Sequence, residues 1–277
     1  MSVLKLVLLA SLLATGACAL APRPAYAIPA SCHASDDLAG PIGALPRVTA
    51  ALKSGTLHIL AVGSATMFGP DASLQPGTVT SQSLARTPVT ASVPPVQKLD
   101  IGTDAAFPFK MAAALNAAIP TLKVDVVLRG GRGLSAADML ALINSELKTG
   151  VYQLVLWQTG TVEAVRNTPS GEFAQVLSEG VEAVEAAGAN LVLIDPQYSR
   201  FLQTNSNLDP YTQALQQTAA MPGVVLFHRF DLMRAWANDG QLDLERTPRA
   251  DRRKTVEMLH VCLGDHLARL VLAGTRS

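Results

Sequence analysis

The chain carries no surplus of charge. Its 22 Lys and Arg match its 22 Asp and Glu, so the formal net charge at neutral pH is zero. It has no basic patch or polybasic run, which argues against nucleic acid as a partner. It has no acidic block, which argues against a disordered acidic tail. A phosphate-cradling glycine loop with its lysine is also missing, because the glycine-rich Arg129–Gly133 contains no Lys. The five histidines, His33, His58, His228, His260 and His266, show no spacing typical of zinc ligands, so neither a metal nor another cofactor is expected. No repeat and no second domain can be read along the chain, and the mature chain is expected to hold no membrane span.

What the chain does have is apolar bulk. Of its 277 residues 49% are hydrophobic, enough for one well-cored domain. Residues 1–27 read as a secretory signal: Lys5 is the one early charge, Leu6–Leu13 is apolar, and Ala25-Tyr26-Ala27 fits a small-x-small cleavage site. The apolar run is too short to span a bilayer comfortably. Cleavage after Ala27 would deliver a periplasmic or secreted protein. Cys18 offers a lipoprotein alternative, although Thr15-Gly16-Ala17 before it lacks the usual upstream Leu. Cys32 and Cys262 remain, and two cysteines in an oxidising compartment read as one disulfide; two unpaired thiols are the alternative.

Residues 28–54 form a lead-in with a short helix expected over Ile42–Leu52, and one domain is expected over 55–277. Leu57–Val62 is a strand. Residues 70–104, rich in Pro, Ser and Thr, read as a long inserted loop hanging over the end of the sheet. Alternation follows. Helices are expected over Phe107–Ala118, Ser135–Leu147, Gly171–Ala187, Pro210–Ala220, Phe230–Ala237 and Lys254–Ala273. Strands are expected over Lys123–Leu128, Val151–Trp157, Leu191–Ile194 and Val224–Phe227. Ser135 with Asp138 suits a helix N-cap, and Gly188 a helix end. Strand-helix alternation with continuous apolar strands implies an α/β architecture whose parallel sheet is covered on both faces.

In such sheets ligands bind beyond the carboxyl ends of the strands. The segments found there are Gly63–Gly69, Arg129–Gly133, Gln158–Glu163 and Asp195–Tyr198, followed by Glu257–His260 near the start of the last helix. This ordered set resembles the SGNH hydrolases, or GDSL esterases, over roughly residues 55–273. Gly63, Gly133, Gly160 and His260 fall into the family's pattern, and Trp157–Thr161 (WQTGT) and Ala136–Leu140 (AADML) add likeness. The resemblance implies a flavodoxin-like three-layer α/β/α sandwich with a mostly parallel sheet, and acyl transfer on esters of lipids or glycans.

The departures bear on function. The family's spacing puts Ala65 at the position of the nucleophilic serine, and a methyl group cannot attack an acyl carbon. Val162 stands where an Asn would donate to the oxyanion. Glu257 replaces the Asp that orients the imidazole, a mild change. Three readings follow. In the first, a secreted SGNH-like protein keeps a cleft for an acylated glycan or other ester-bearing ligand but has lost catalysis. Ala65, Gly133, Gly160 and Val162 would line that cleft. In the second, Ser64, His260 and Glu257 form a working ester hydrolase or acyltransferase. In the third, the 70–104 loop docks on an envelope protein. The bland alternatives are that Ser64 caps the turn after it, Gly133 serves a tight turn, Glu163 sits in a helix first turn, Arg129 and Arg132 are solvated loop charges, and His260 is structural.

Overall fold

The computed structural model describes residues 32–34, 38, 43–69 and 103–276. The signal segment and nearly all of the inserted loop lie outside the described residues. Helix α1 (Pro46–Ser54) opens with a proline in its first turn, where the missing N–H costs nothing, and leads into strand β1 (Thr56–Gly63). A single 3₁₀ turn, Ala65–Met67, follows. The chain then alternates through α2 (Phe107–Ala118), β2 (Lys123–Gly130), α3 (Ala136–Thr149), β3 (Leu154–Gln158), the short α4 (Thr161–Arg166), α5 (Ser170–Ala186) and β4 (Asn190–Ile194). The short α6 (Arg200–Asn205), α7 (Asp209–Thr218), β5 (Val224–Phe227), α8 (Arg229–Asn238) and α9 (Arg252–Gly274) complete it.

The five strands lie in the order β2-β1-β3-β4-β5, and every pair is parallel. Side chains alternate across the sheet, as the pleat requires. Leu57, Ile59 and Ala61 of β1, with Leu154 and Leu156 of β3, meet α1, α2, α8 and α9 on one face. Leu60 and Val62, with Val155 and Trp157, meet α3, α5 and α7 on the other. The architecture is therefore the three-layer α/β/α sandwich. Because β1 has β2 on one side and β3 on the other, the strand order reverses there, and the crevice outside the carboxyl ends of β1 and β3 is the natural place for a ligand.

Several expected elements shift. The third strand starts at Leu154 rather than Val151, since Val151 is exposed and pairing with β1 begins at Ile59 opposite Leu154. The Ser135 hydroxyl accepts the Asp138 N–H, and the Asp138 carboxylate accepts the Ser135 N–H in return, a reciprocal cap. The last helix is longer than expected at both ends, and Cys262 within it is bonded to Cys32, 230 residues earlier. Among the described residues no helix is long and apolar enough to cross a membrane.

Candidate functional site

The five strands end on one rim. There the turn after β1, the loop after β4, α6, the start of α8, the segment around Leu244 and one face of α9 enclose a cleft of about 450 Å³. Thr66, Gln197, Arg229 and His260 supply its polar lining, and Phe201, Leu244, Val256 and Leu259 its apolar lining. Glu245 and Arg252 complete it.

His260 is the expected site residue that reaches this cleft, and it is almost fully buried. Its Nδ1 accepts the backbone N–H of Phe107 at 3.0 Å, at the very start of α2. A backbone N–H can only donate, so Nδ1 must hold a lone pair and the neutral ring must carry its proton on Nε2. Burial, reinforced by the Arg229 and Lys110 cations, pushes the imidazole down to about 3. The ring is neutral across the physiological range and offers an N–H, not a basic nitrogen, at Nε2.

The expected partners of His260 are elsewhere. Glu257 lies on the exposed side of α9, where its carboxylate accepts from Arg253 Nε at 3.1 Å. Residues three apart on a helix can meet, but here Glu257 turns to solvent and Arg253 while His260 turns into the core toward Phe107, so the expected Glu257–His260 pairing does not form. Ser64 neither caps the following turn nor bonds His260. Its Oγ accepts from Gln158 Nε2 at 2.7 Å and lies 3.1 Å from Thr66 Oγ1. Ala65 begins the 3₁₀ turn.

The remaining expected residues are held by local structure. Gly160 and Gly133 both adopt left-handed backbone (φ 96° and 74°) that a side chain would strain. The Gly160 N–H donates to Glu163 Oε2, and the other oxygen of that buried carboxylate accepts the Ala136 N–H. Glu163 thus ties the starts of α3 and α4 together. Gly133 is exposed, with its carbonyl accepting from Arg166. Val162 is half-buried in the first turn of α4 and has no side-chain donor. Arg129 pairs with Glu146 at 2.6 Å rather than with a ligand.

Of the residues that fill the crevice, Thr66, Gln158, Asp195 and Gln197 fall in the strand-end segments that the sequence marked, without a role assigned to them, and Arg229 lies outside those segments. Gln158 Nε2 bridges the Ser64 and Thr66 hydroxyls. Arg229, the first residue of α8, is 1% exposed. Its Nη1 reaches Thr66 Oγ1 and its Nη2 reaches Gln197 Oε1, both at a long 3.4 Å, and its Nε has no hydrogen-bond partner. Its guanidinium carbon lies 5.8 Å from the Phe107 ring centroid. Asp195 at the end of β4 accepts the Phe230 N–H at 2.8 Å, and burial pushes its carboxyl up to about 8. The available signal was position: Gln158 ends a buried strand, Asp195 directly follows one, and Arg229 comes two residues after β5. Among the described residues no cluster of His, Cys, Asp or Glu could hold a metal ion.

The family model described as "Non-GDSL lipase-like family" matches residues 31–277. Among solved structures, the acetylxylan esterase Axe2 from Geobacillus stearothermophilus is 15% identical (TM-score 0.52), with 79% of this chain and 94% of that chain covered. A two-domain esterase (CEX) active on acetylated mannans is 9% identical (TM-score 0.56), with 85% of this chain and 54% of that chain covered. LAE5, an alpha/beta hydrolase enzyme from the metagenome of Lake Arreo, Spain, is 13% identical (TM-score 0.51), with 79% and 95% covered. At these identities the likeness is one of fold. No curated protein is similar enough in sequence to count as a match.

Proposed function

The chain belongs to the Non-GDSL lipase-like family, on the SGNH hydrolase fold, and from that membership we propose a protein that binds acyl esters without hydrolysing them by a serine mechanism. The observation that carries this reading is the hydrogen bond from the Phe107 N–H to His260 Nδ1. A serine hydrolase needs the opposite arrangement. Nδ1–H donates to a carboxylate, and Nε2 keeps a lone pair to take the nucleophile's proton. Among the described residues no carboxylate is hydrogen-bonded to the ring, and the proton sits on the nitrogen that should receive one. Ala65 at the nucleophile position and Val162 at the oxyanion position support the same reading.

The cleft retains what binding requires. Its apolar wall suits an acyl group, and Thr66, Gln197 and the His260 Nε2–H can bond ester or hydroxyl oxygens. An acylated carbohydrate is the ligand class we favour, supported by the two relatives described as esterases of acetylated xylan and mannan. The Cys32–Cys262 disulfide supports an oxidising, extracytoplasmic location.

The test pairs an assay with a binding measurement. Purified protein should release no p-nitrophenol from short acyl esters above the rate given by a His260→Ala variant. The same protein should perturb the NMR spectrum of acetylated xylo-oligosaccharides. Ester turnover that His260→Ala or Ser64→Ala abolishes would overturn the reading.

A further inference from the structure

We propose that Arg229, with Arg252 at the rim, receives the anionic head of the cleft's ligand, an organic carboxylate with a short apolar tail. The proposal rests on the cleft and apolar wall of the acyl reading and adds the free carboxylic acid to the esters that the cleft would take. Arg229 is a cation buried to 1% exposure, and among the described residues no carboxylate lies within ion-pair distance of it, although the buried Asp195 acts on it from farther off. Its two side-chain hydrogen bonds are long, at 3.4 Å, and Nε has none. A buried charge held so loosely is costly, because it has left water without a partner that replaces it.

The neighbouring carboxylates do not fill that role. Asp195 is turned to the Phe230 N–H and makes no hydrogen bond to the Arg229 side chain, and burial pushes its carboxyl up. Glu245 lines the cleft, but its oxygens accept from the Ser199 hydroxyl and the backbone N–H groups of Arg200 and Phe201, and it pairs with the Arg200 side chain at 3.5 Å. Arg252 is exposed at the cleft and makes no ion pair among the described residues. The cleft therefore presents two cations, neither of which has a carboxylate within ion-pair distance among the described residues, although the buried Asp195 acts on Arg229 through its field.

The rest of the lining describes the ligand's other end. Phe201 is 68% exposed, although α6 that carries it is clamped: Arg200 forks onto both oxygens of Asp243 at 3.0 and 2.9 Å. With Leu244, Val256 and Leu259 it forms an apolar wall beside the guanidinium groups. A planar carboxylate matches the guanidinium edge, and the neutral His260 adds an Nε2–H donor.

The experiment titrates the purified chain, by calorimetry, with hexanoate, methyl hexanoate and inorganic phosphate. Hexanoate should bind, and its uncharged ester should bind about tenfold more weakly or less, as loss of a charge-assisted hydrogen bond implies. Arg252→Gln, at an exposed position, should weaken hexanoate by about tenfold and leave the ester unchanged. Arg229→Met should weaken hexanoate further; if that variant fails to fold, Arg252→Gln carries the test alone. Equal affinity for acid and ester, or hexanoate binding indifferent to both substitutions, overturns the proposal and leaves the acyl reading intact. Binding of phosphate alone, or of none of the three, also overturns the proposal, and the acyl reading is then judged by the acetylated xylo-oligosaccharide spectrum.

Discussion

At position 260 one hydrogen bond decides the chemistry. The Phe107 N–H fixes the lone pair of His260 on Nδ1, so restoring a hydroxyl at position 65 does not restore a general base. Ala65→Ser should therefore leave ester hydrolysis within tenfold of background, measured on p-nitrophenyl acetate; a gain well beyond that would show that the ring turns over in solution. The same residue sets a pH dependence. The unfolded imidazole takes up a proton near its ordinary value of 6.5, whereas the folded one resists until about 3. Between those values the unfolded state binds more protons, so stability is full above 6.5 and falls as pH drops toward 3. His260→Gln, which does not titrate, should lose less stability than the parent between about pH 7 and 4.5. The difference, on the order of 2 kcal/mol by linkage, is measurable by denaturant unfolding. Sequence located this histidine by its neighbourhood, but the direction of its hydrogen bond depends on a backbone amide 153 residues away. Arg229 was hidden for a related reason: an arginine opening a helix reads as ordinary until tertiary packing removes its water.

Helix α9 brings His260 to α2, and the contact depends on Gly264 one turn later. A Cβ there would stand 2.5 Å from the Lys110 Cβ and 2.8 Å from the Met111 backbone N. In an exposed helix Gly→Ala stabilises by up to about 1 kcal/mol. Here the sign should invert, with Gly264→Ala destabilising by about 1–3 kcal/mol as α9 is forced off α2, read as a lower unfolding midpoint in denaturant. An unchanged or raised midpoint would show that the two helices do not cross as described. Long elements of this kind were legible. Phe107–Ala118 and Val224–Phe227 appear with the boundaries their patterns imply, because a long helical period or a buried apolar run outweighs local noise. Of the six-residue helices, α4 was legible only through Glu163, read as a helix first-turn carboxylate, and α6 was not legible. Neither is long enough to show a period: α4 is fastened by its own Glu163, which reaches the start of α3, and α6 by Glu245 and Asp243 from outside it. The cleft inherits this limit where Phe201 of α6 lines it.

Across the described residues, the parallel sense of the strands follows from alternation that a single sequence displays, whereas their order β2-β1-β3-β4-β5 is a tertiary fact, and the tie between Cys32 and α9 follows from one covalent bond. Cys32 is fully buried beside α9; its carbonyl lies 2.7 Å from His266 Nε2, and the carbonyl of the next residue, His33, accepts from Trp236 Nε1. The bond therefore anchors the start of the described chain to the helix that carries His260. A crosslink spanning 230 residues restricts the unfolded chain strongly, and the chain-entropy relation puts the effect at up to about 5 kcal/mol. Removing both sulfurs in a Cys32→Ala, Cys262→Ala variant should lower the unfolding free energy by about 2–5 kcal/mol, measured by guanidinium denaturation of both proteins without reductant. Thiol labelling gives an independent readout. Chain ending its signal at Ala27 and denatured without reductant should give no labelled thiol, and two after reduction. Labelling before reduction, or midpoints that coincide, would mean that the ends of the molecule are held by packing alone.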